Sequence, residues 1–254
     1  MGGEPARTAR MGGRELGLTM LAVLACGVSA QFLVFGTLGL LGFELYRNLL
    51  LIPSVALVLI IAGYARHYER RLGNRLIMGL LSGLVATVGL ELFRVPGYAV
   101  LHWLPGDDMV SFPGVLLTGV ASNLMEAMPY MALKEPAPIV ALLAGGLWHF
   151  WNGATFGAVY AMVVGKGKWW YGAIWGSIIE QGMMVAPWLV MMVGPYGIHY
   201  GAGYNIVTVT WLAHIAFGSI LGLLVYRLVK EKGSILTLLR APNAGGKRSA
   251  GTSR

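Results

Sequence analysis

Between Gly145 and Val229 one pattern occurs twice, His149-x3-Gly153-x3-Gly157 and His214-x3-Gly218-x3-Gly222, and between the copies lies Gly172-x3-Gly176-x3-Glu180. All three stretches sit in apolar runs long enough for a bilayer, which takes about 20 residues of helix to cross. A step of four keeps residues on one helical face, so each histidine or glutamate shares a face with its glycines. Faces of this small-xxx-small kind are where membrane helices approach closely. The polar side chains are therefore expected to point at protein and not at lipid.

The rest of the chain has the same apolar habit. Segments 16–43, 49–65, 76–103, 113–133, 139–164, 169–193 and 205–229 are apolar, separated by short polar turns. With 56% hydrophobic residues, 12% charged and a mean hydropathy of +0.66, the chain is no soluble domain. A polytopic, all-α transmembrane bundle is expected. A net charge of +8 would suggest nucleic acid in a soluble protein. Here the cations sit in loops and tails, where they set topology, and no nucleic-acid partner is expected. The lone Cys26 excludes an internal disulfide and a multi-cysteine zinc site. Val28-Ser29-Ala30 could be read as a signal-peptide cleavage site, but the apolar run continues to Phe43, so a retained span is expected.

Topology follows from the cations. Residues 1–15, with Arg7, Arg10 and Arg14, form a basic leader, and 66–75 is the most basic loop. Lys166-Gly167-Lys168 and the tail 230–254, with Lys247, Arg248 and Arg254, are basic too, and the tail reads as disordered. Pro105-Gly106-Asp107-Asp108 is acidic and is expected outside. Seven full spans would put the basic tail outside. Six spans plus a re-entrant or broken segment 113–133 put every basic cluster in the cytoplasm, with both termini there, in the inner membrane. The two spans within 16–65 carry no charge and read as peripheral, leaving 76–229 as the core.

Within that core, 76–103 also begins with Gly79-x3-Gly83 and places Thr87 and Glu91 on the same face, with Arg94 three residues on as a partner for Glu91. The core thus reads as two hairpins of one kind, a Gly/Glu helix going out and a His/Gly helix returning, with 113–133 inserted in the first. Six spans would make this a parallel repeat. Thr118, Ser122 and Glu126 share a face of the inserted segment.

From Gly79 onward the chain resembles the YagU-like group of bacterial inner-membrane proteins. The matching residues are Gly79-Leu80-Leu81-Ser82-Gly83 with Val95-Pro96, then His149 with Phe156-Gly157-Ala158-Val159-Tyr160. Trp170-Tyr171-Gly172, Pro187, and His214 with Phe217-Gly218 complete the likeness. The resemblance covers roughly the last two-thirds of the chain and implies the fold layout, not a chemistry.

By helical rise, His149, His214 and Glu180 lie about 14–16 Å into their helices, near the middle of a hydrocarbon core about 30 Å thick. Glu91 and Glu126 join them as candidates. Ionisable groups at that depth are rarely without a role or a partner. Four readings follow. The cluster relays protons or an ion during transport of a small solute, with a homodimer expected because six spans are few. Alternatively, His149, His214, Glu180, Glu126 and Glu91 hold a divalent transition metal. Thirdly, His149 and His214 bind haem. Finally, pairs such as His149–Glu180 and His214–Glu91 merely tie helices together in a subunit of a membrane complex. No phosphate loop, nucleophile elbow or serine triad is apparent, so the reading leans away from an enzyme.

Overall fold

The computed structural model describes residues 10–201 and 203–241; Arg7, Lys247, Arg248 and Arg254 lie outside them. The regular elements in this range are helices: α1 Gly13–Ala30, α2 Phe32–Thr37, α3 Phe43–Tyr46, a π-turn Arg47–Leu51, α4 Ile52–Tyr68, α5 Arg70–Ala99, α6 Ser111–Thr118, α7 Leu124–Met131, α8 Ile139–Val163, α9 Trp169–Met184, α10 Pro187–Val193, α11 Tyr204–Leu228 and α12 Ile235–Arg240. Among the described residues, four helical stretches are long and apolar enough to cross a membrane, namely α1, the continuous Phe43–Tyr68, α5 and α11. The pair α9–α10 makes a fifth if its bend of 62° lies within one span. Helix α8 has the length, 25 residues, but Trp148, His149, Trp151 and Asn152 dilute its hydropathy.

The breaks have local causes. The first apolar run stops being one helix at Gln31, and Gly36, Gly39 and Gly42 follow within a turn or two of each other, with Gly39 at φ 65°. Segment 113–133 is two eight-residue helices, each only about 12 Å long by the helical rise. Gly119 ends the first in the left-handed conformation that glycine tolerates, φ 75°. The sixth apolar run, read as one span, bends because Pro187 holds Ala186 extended at ψ 135°. Pro96 does not end α5, which runs on to Ala99.

Glycine seams hold the bundle together. A Cβ on Gly79 or Gly83 would run into the backbone of α8 at Gly157 and Gly153, and one on Gly157 would strike the Gly79 carbonyl. The second seam repeats this between α9 and α11, where Gly172 faces Gly218 and Gly222, and Gly176 faces the His214 carbonyl. A third joins α6 to α8 through Gly114 and Gly145. Helix α11 also packs on α5, which links the pairs.

Two expectations change here. The first two spans are not peripheral: α1 packs on α8, Trp148 donates to the Ser29 carbonyl (3.3 Å), and Phe32, Phe43 and Tyr46 join Phe112 and Trp148 in one apolar cluster. Residues 230–241 do not match the expected disorder either. Arg75, buried in α5, donates to the carbonyls of Met162 (3.2 Å) and Gly233 (2.5 Å), fixing the chain after α11. Leu238 of α12 is buried, and its carbonyl accepts from Met11 N–H at 3.2 Å. Both ends of the described chain therefore meet at one end of the bundle. Arg14 bound to Glu69 (2.6 Å), Arg71 bound to Glu15 (2.5 Å) and the Lys166–Lys232 bridge lie at the same end.

Candidate functional site

Five expected site residues part company in the structure. His149 and Glu91 meet across the first glycine seam, Nε2 to Oε1 at 2.6 Å. Close approach of α5 and α8 at Gly83 and Gly153 brings them within reach. The pairings expected of a purely structural cluster, His149–Glu180 and His214–Glu91, are not those observed. Glu180 is fully buried, accepting from Thr210 Oγ1 (3.3 Å) and from Gln181 Nε2 (2.5 Å). His214 Nδ1 donates to the Thr210 carbonyl, 2.7 Å away. A carbonyl only accepts, so Nδ1 carries the proton and Nε2 is left as an acceptor. Among the described residues Nε2 has no hydrogen-bond partner.

Glu126 leaves the cluster altogether. It is exposed at the third position of α7, accepting from the Ser122 backbone N–H and hydroxyl, both at 2.8 Å. Asn123 caps the same turn by accepting from the Glu126 N–H at 3.1 Å. This resembles a capping box, with the carboxylate reaching the N–H one residue before the N-cap, and the Ser122 N–H holds the Glu126 carboxyl below the usual carboxylate range.

In its place come two residues expected in an outer loop. Asp107 and Asp108 are buried, and Arg94 Nη1 reaches both, at 3.1 and 3.3 Å. The other edge of the guanidinium holds Glu91, with Nη2 to Oε2 at 2.8 Å, as the three-residue spacing implied. Asp107 also accepts from Ser111 N–H and Oγ, at 3.1 and 3.0 Å, which anchors the start of α6. Burial pushes the Asp108 carboxyl above the usual carboxylate range against the pull of Arg94. Burial prevails because Arg94 is shared among three acids. The network His149–Glu91–Arg94–Asp107/Asp108 thus sets one guanidinium against three carboxylates. With all three carboxylates ionised, a neutral His149 leaves two negative charges in surplus and a protonated one leaves a single charge; a proton on Asp108 lowers each count by one.

Beside this network lies a cavity of about 510 Å³, bounded by α1, α2, α5, the loop before α6, α8, α9, α10 and α11. Helix α8 packs chiefly on α5, α6 and α1, and α9 packs chiefly on α11; the cavity fills the gap between these groups. Its wall is mostly apolar, with Arg94, Asp108, His149, Asn152, Thr210 and His214 as its main polar points. Glu180 and Glu91 do not line it. Asn152 Oδ1 and Trp175 Nε1, from residues on the wall, are buried without a partner. Both histidines reach the cavity, His149 from the network and His214 from the opposite side.

Among the described residues no group of three or more His, Cys, Asp or Glu side chains could hold a metal ion. The expected ligand set is dispersed: Glu126 caps a helix, Glu180 is tied to α11, and Glu91 is held by Arg94. The chain matches no protein-family model, no curated protein and no solved structure.

Proposed function

We propose that this chain is an inner-membrane protein that carries protons in exchange or in company with a small solute, with His149 as the group that takes and gives the proton. The observation that carries the reading is the 2.6 Å contact between His149 and Glu91 at the border of an over-acidic network and a cavity. An uncompensated charge within a membrane costs at least a few kcal/mol, so the network favours proton uptake. Histidine is the side chain suited to release that proton near neutral pH. Glu180, held by Thr210 and Gln181 away from the cavity, is better suited to fastening α9 to α11.

Six crossings suit this reading: α1, Phe43–Tyr68, α5, α8, the bent α9–α10, and α11. Helix α8 is about 37 Å long by its rise, exposes Ile139, Leu143 and Leu147, and turns His149 inward. The meeting of both chain ends supports an even number, and the basic residues gathered there make that end cytoplasmic. The two similar glycine seams support descent from a duplicated hairpin, and the kinship with the YagU-like group belongs to the same proposal, as does a homodimer.

Proteoliposomes loaded with a pH-sensitive dye test the proposal. Glu91→Gln fills the same volume but cannot titrate, and His149→Gln removes the imidazole. Both should abolish proton flux while the purified variants stay monodisperse. Wild-type flux in both would overturn the reading.

A further inference from the structure

The cavity opens between α1 and α9, two helices read as membrane crossings. Gly27 of α1, Gln31 at the break after it, and Ile178 and Gly182 of α9 line it and are nevertheless exposed. A Cβ on Gly27 or Gly182 would meet nothing within 4 Å. A molecule dissolved in the bilayer can therefore enter sideways between α1 and α9, without crossing the aqueous ends.

The walls say what kind of molecule fits. A volume near 510 Å³ belongs to the range of sites for compact organic ligands. Trp148, Phe156, Trp175, Trp188 and Phe217 give the interior an aromatic lining, and aromatic faces attract cations, most strongly when dry. Among the described residues, Arg94 is the one Lys or Arg on the wall. Its guanidinium is taken up by Glu91, Asp107 and Asp108, so the field beyond it is that of the surplus acid. An anion would meet that surplus with no free cation to hold it. A neutral solute that is polar all round could use the few polar points, Asn152 and Trp175 among them, but would leave most of its groups against apolar wall. A cation with an apolar body matches both the charge and the surface.

We infer that the cavity takes a lipophilic organic cation from the bilayer through the opening between α1 and α9, and that its arrival displaces the proton held by His149. The inference rests on the proton-carrying reading above and names its partner. No covalent bond changes: the imidazolium becomes imidazole, one proton leaves to water, and the cation supplies the charge that the proton had supplied. The charged and titratable groups around His149 are Glu91 and Arg94 on α5, Asp107 and Asp108 in the loop before α6, and His214 on α11, with Glu180 of α9 behind Thr210.

Tetraphenylphosphonium is the probe, titrated into the purified full chain in detergent by calorimetry. Saturable binding is expected, with release of up to one proton per cation in weakly buffered solution. Affinity should rise with pH, because the cation and the proton compete for one site. Tetraphenylborate, alike in shape and opposite in sign, should bind at least tenfold more weakly. Gly27→Phe and Gly182→Phe should each weaken phosphonium binding about tenfold by filling the mouth, and Gly63→Phe on the open face of α4 should not. Equal binding of the two ions, or no binding of the cation, overturns the inference, and does so without touching the dye-measured proton flux. Cation binding with wild-type proton release in His149→Gln overturns the exchange and the proton-carrying role of His149 together, while a sign-selective cavity would survive.

Discussion

Replacing Arg94 by leucine removes the one cation that three buried carboxylates share. Its side chain is 7% exposed, Nε and Nη2 are on Glu91, and Nη1 is on Asp107 and Asp108. Removing one partner of a buried ion pair costs about 3–5 kcal/mol, most of it from the charge left behind. Here more than one charge is left behind, so Arg94→Leu should fall at or above the upper end at pH 8. The cost should shrink towards pH 5, because the orphaned acids can then take protons. The decisive measurement is a cycle. In an Asp107→Asn, Asp108→Asn background, Arg94→Leu orphans only Glu91, and its cost should fall by about 1–3 kcal/mol, the range typical of directly coupled groups. Arg94→Lys, which keeps the charge and loses the planar fork, should lie in between. Reversible unfolding in mixed micelles, driven by dodecyl sulfate and followed by circular dichroism, gives these values. Costs that add within about 0.5 kcal/mol across the cycle would refute the network as a coupled unit.

Gly83→Ala forces a methyl against the Gly153 carbonyl and should destabilise by about 1–3 kcal/mol, whereas Gly146→Ala, whose Cβ meets nothing within 4 Å, should be neutral or stabilise; the same unfolding assay separates them. Asp108 gives a pH signature: burial raises its folded pKa above the unfolded value of about 3.9, so its contribution is fully present below that value and lost as pH rises through the folded pKa. The stability of wild type minus that of Asp108→Asn should therefore decline from acid towards neutral pH, and a difference that grows instead would reverse the assignment. Single cysteines at Lys168 and Ser234, in a Cys26→Ala background, should both react with an impermeant maleimide from the cytoplasmic side; labelling from opposite sides would exclude six crossings.

The seams were legible because they depend on local spacing. A four-residue step aligns Gly79 with Gly83 and Gly172 with Gly176 on any helix, and the partner helix shows the same step. The Glu91–Arg94 pair was legible for the same reason. Asp107 and Asp108 were not. Pro105-Gly106-Asp-Asp has the composition of a solvent turn, and the pairing that buries it is made by Arg94, more than a dozen residues back. Only a count of charges, one arginine to several acids near one depth, hinted at it. Glu126 was misassigned because the helix was taken to start at Pro113; it restarts after Asn123, and Asn123-x2-Glu126 is itself a recognisable cap. Pro187 likewise marked the bend in 169–193.

The two histidines show how far a repeated pattern fixes chemistry. Both precede Gly-x3-Gly and both reach the same cavity. What differs is the residue one turn earlier, Gly145 before His149 and Thr210 before His214. Thr210 offers its carbonyl to His214 Nδ1 and its hydroxyl to Glu180, so the second site closes on itself and fixes one tautomer. Gly145 has no side chain to offer, and its bare surface admits the Val110 carbonyl and the start of α6. That approach holds residues 107–110 against the bundle and brings Asp107 and Asp108 to Arg94. The acid surplus on which the proposed proton role of His149 rests is therefore built through a glycine at the position where its counterpart has a threonine. A side chain at Gly145 would push α6 outward and carry both aspartates with it, leaving Arg94 to Glu91 alone. His149 would then face a balanced pair, and the proposed proton site would lose its acid surplus although every residue of the repeated pattern would still be in place.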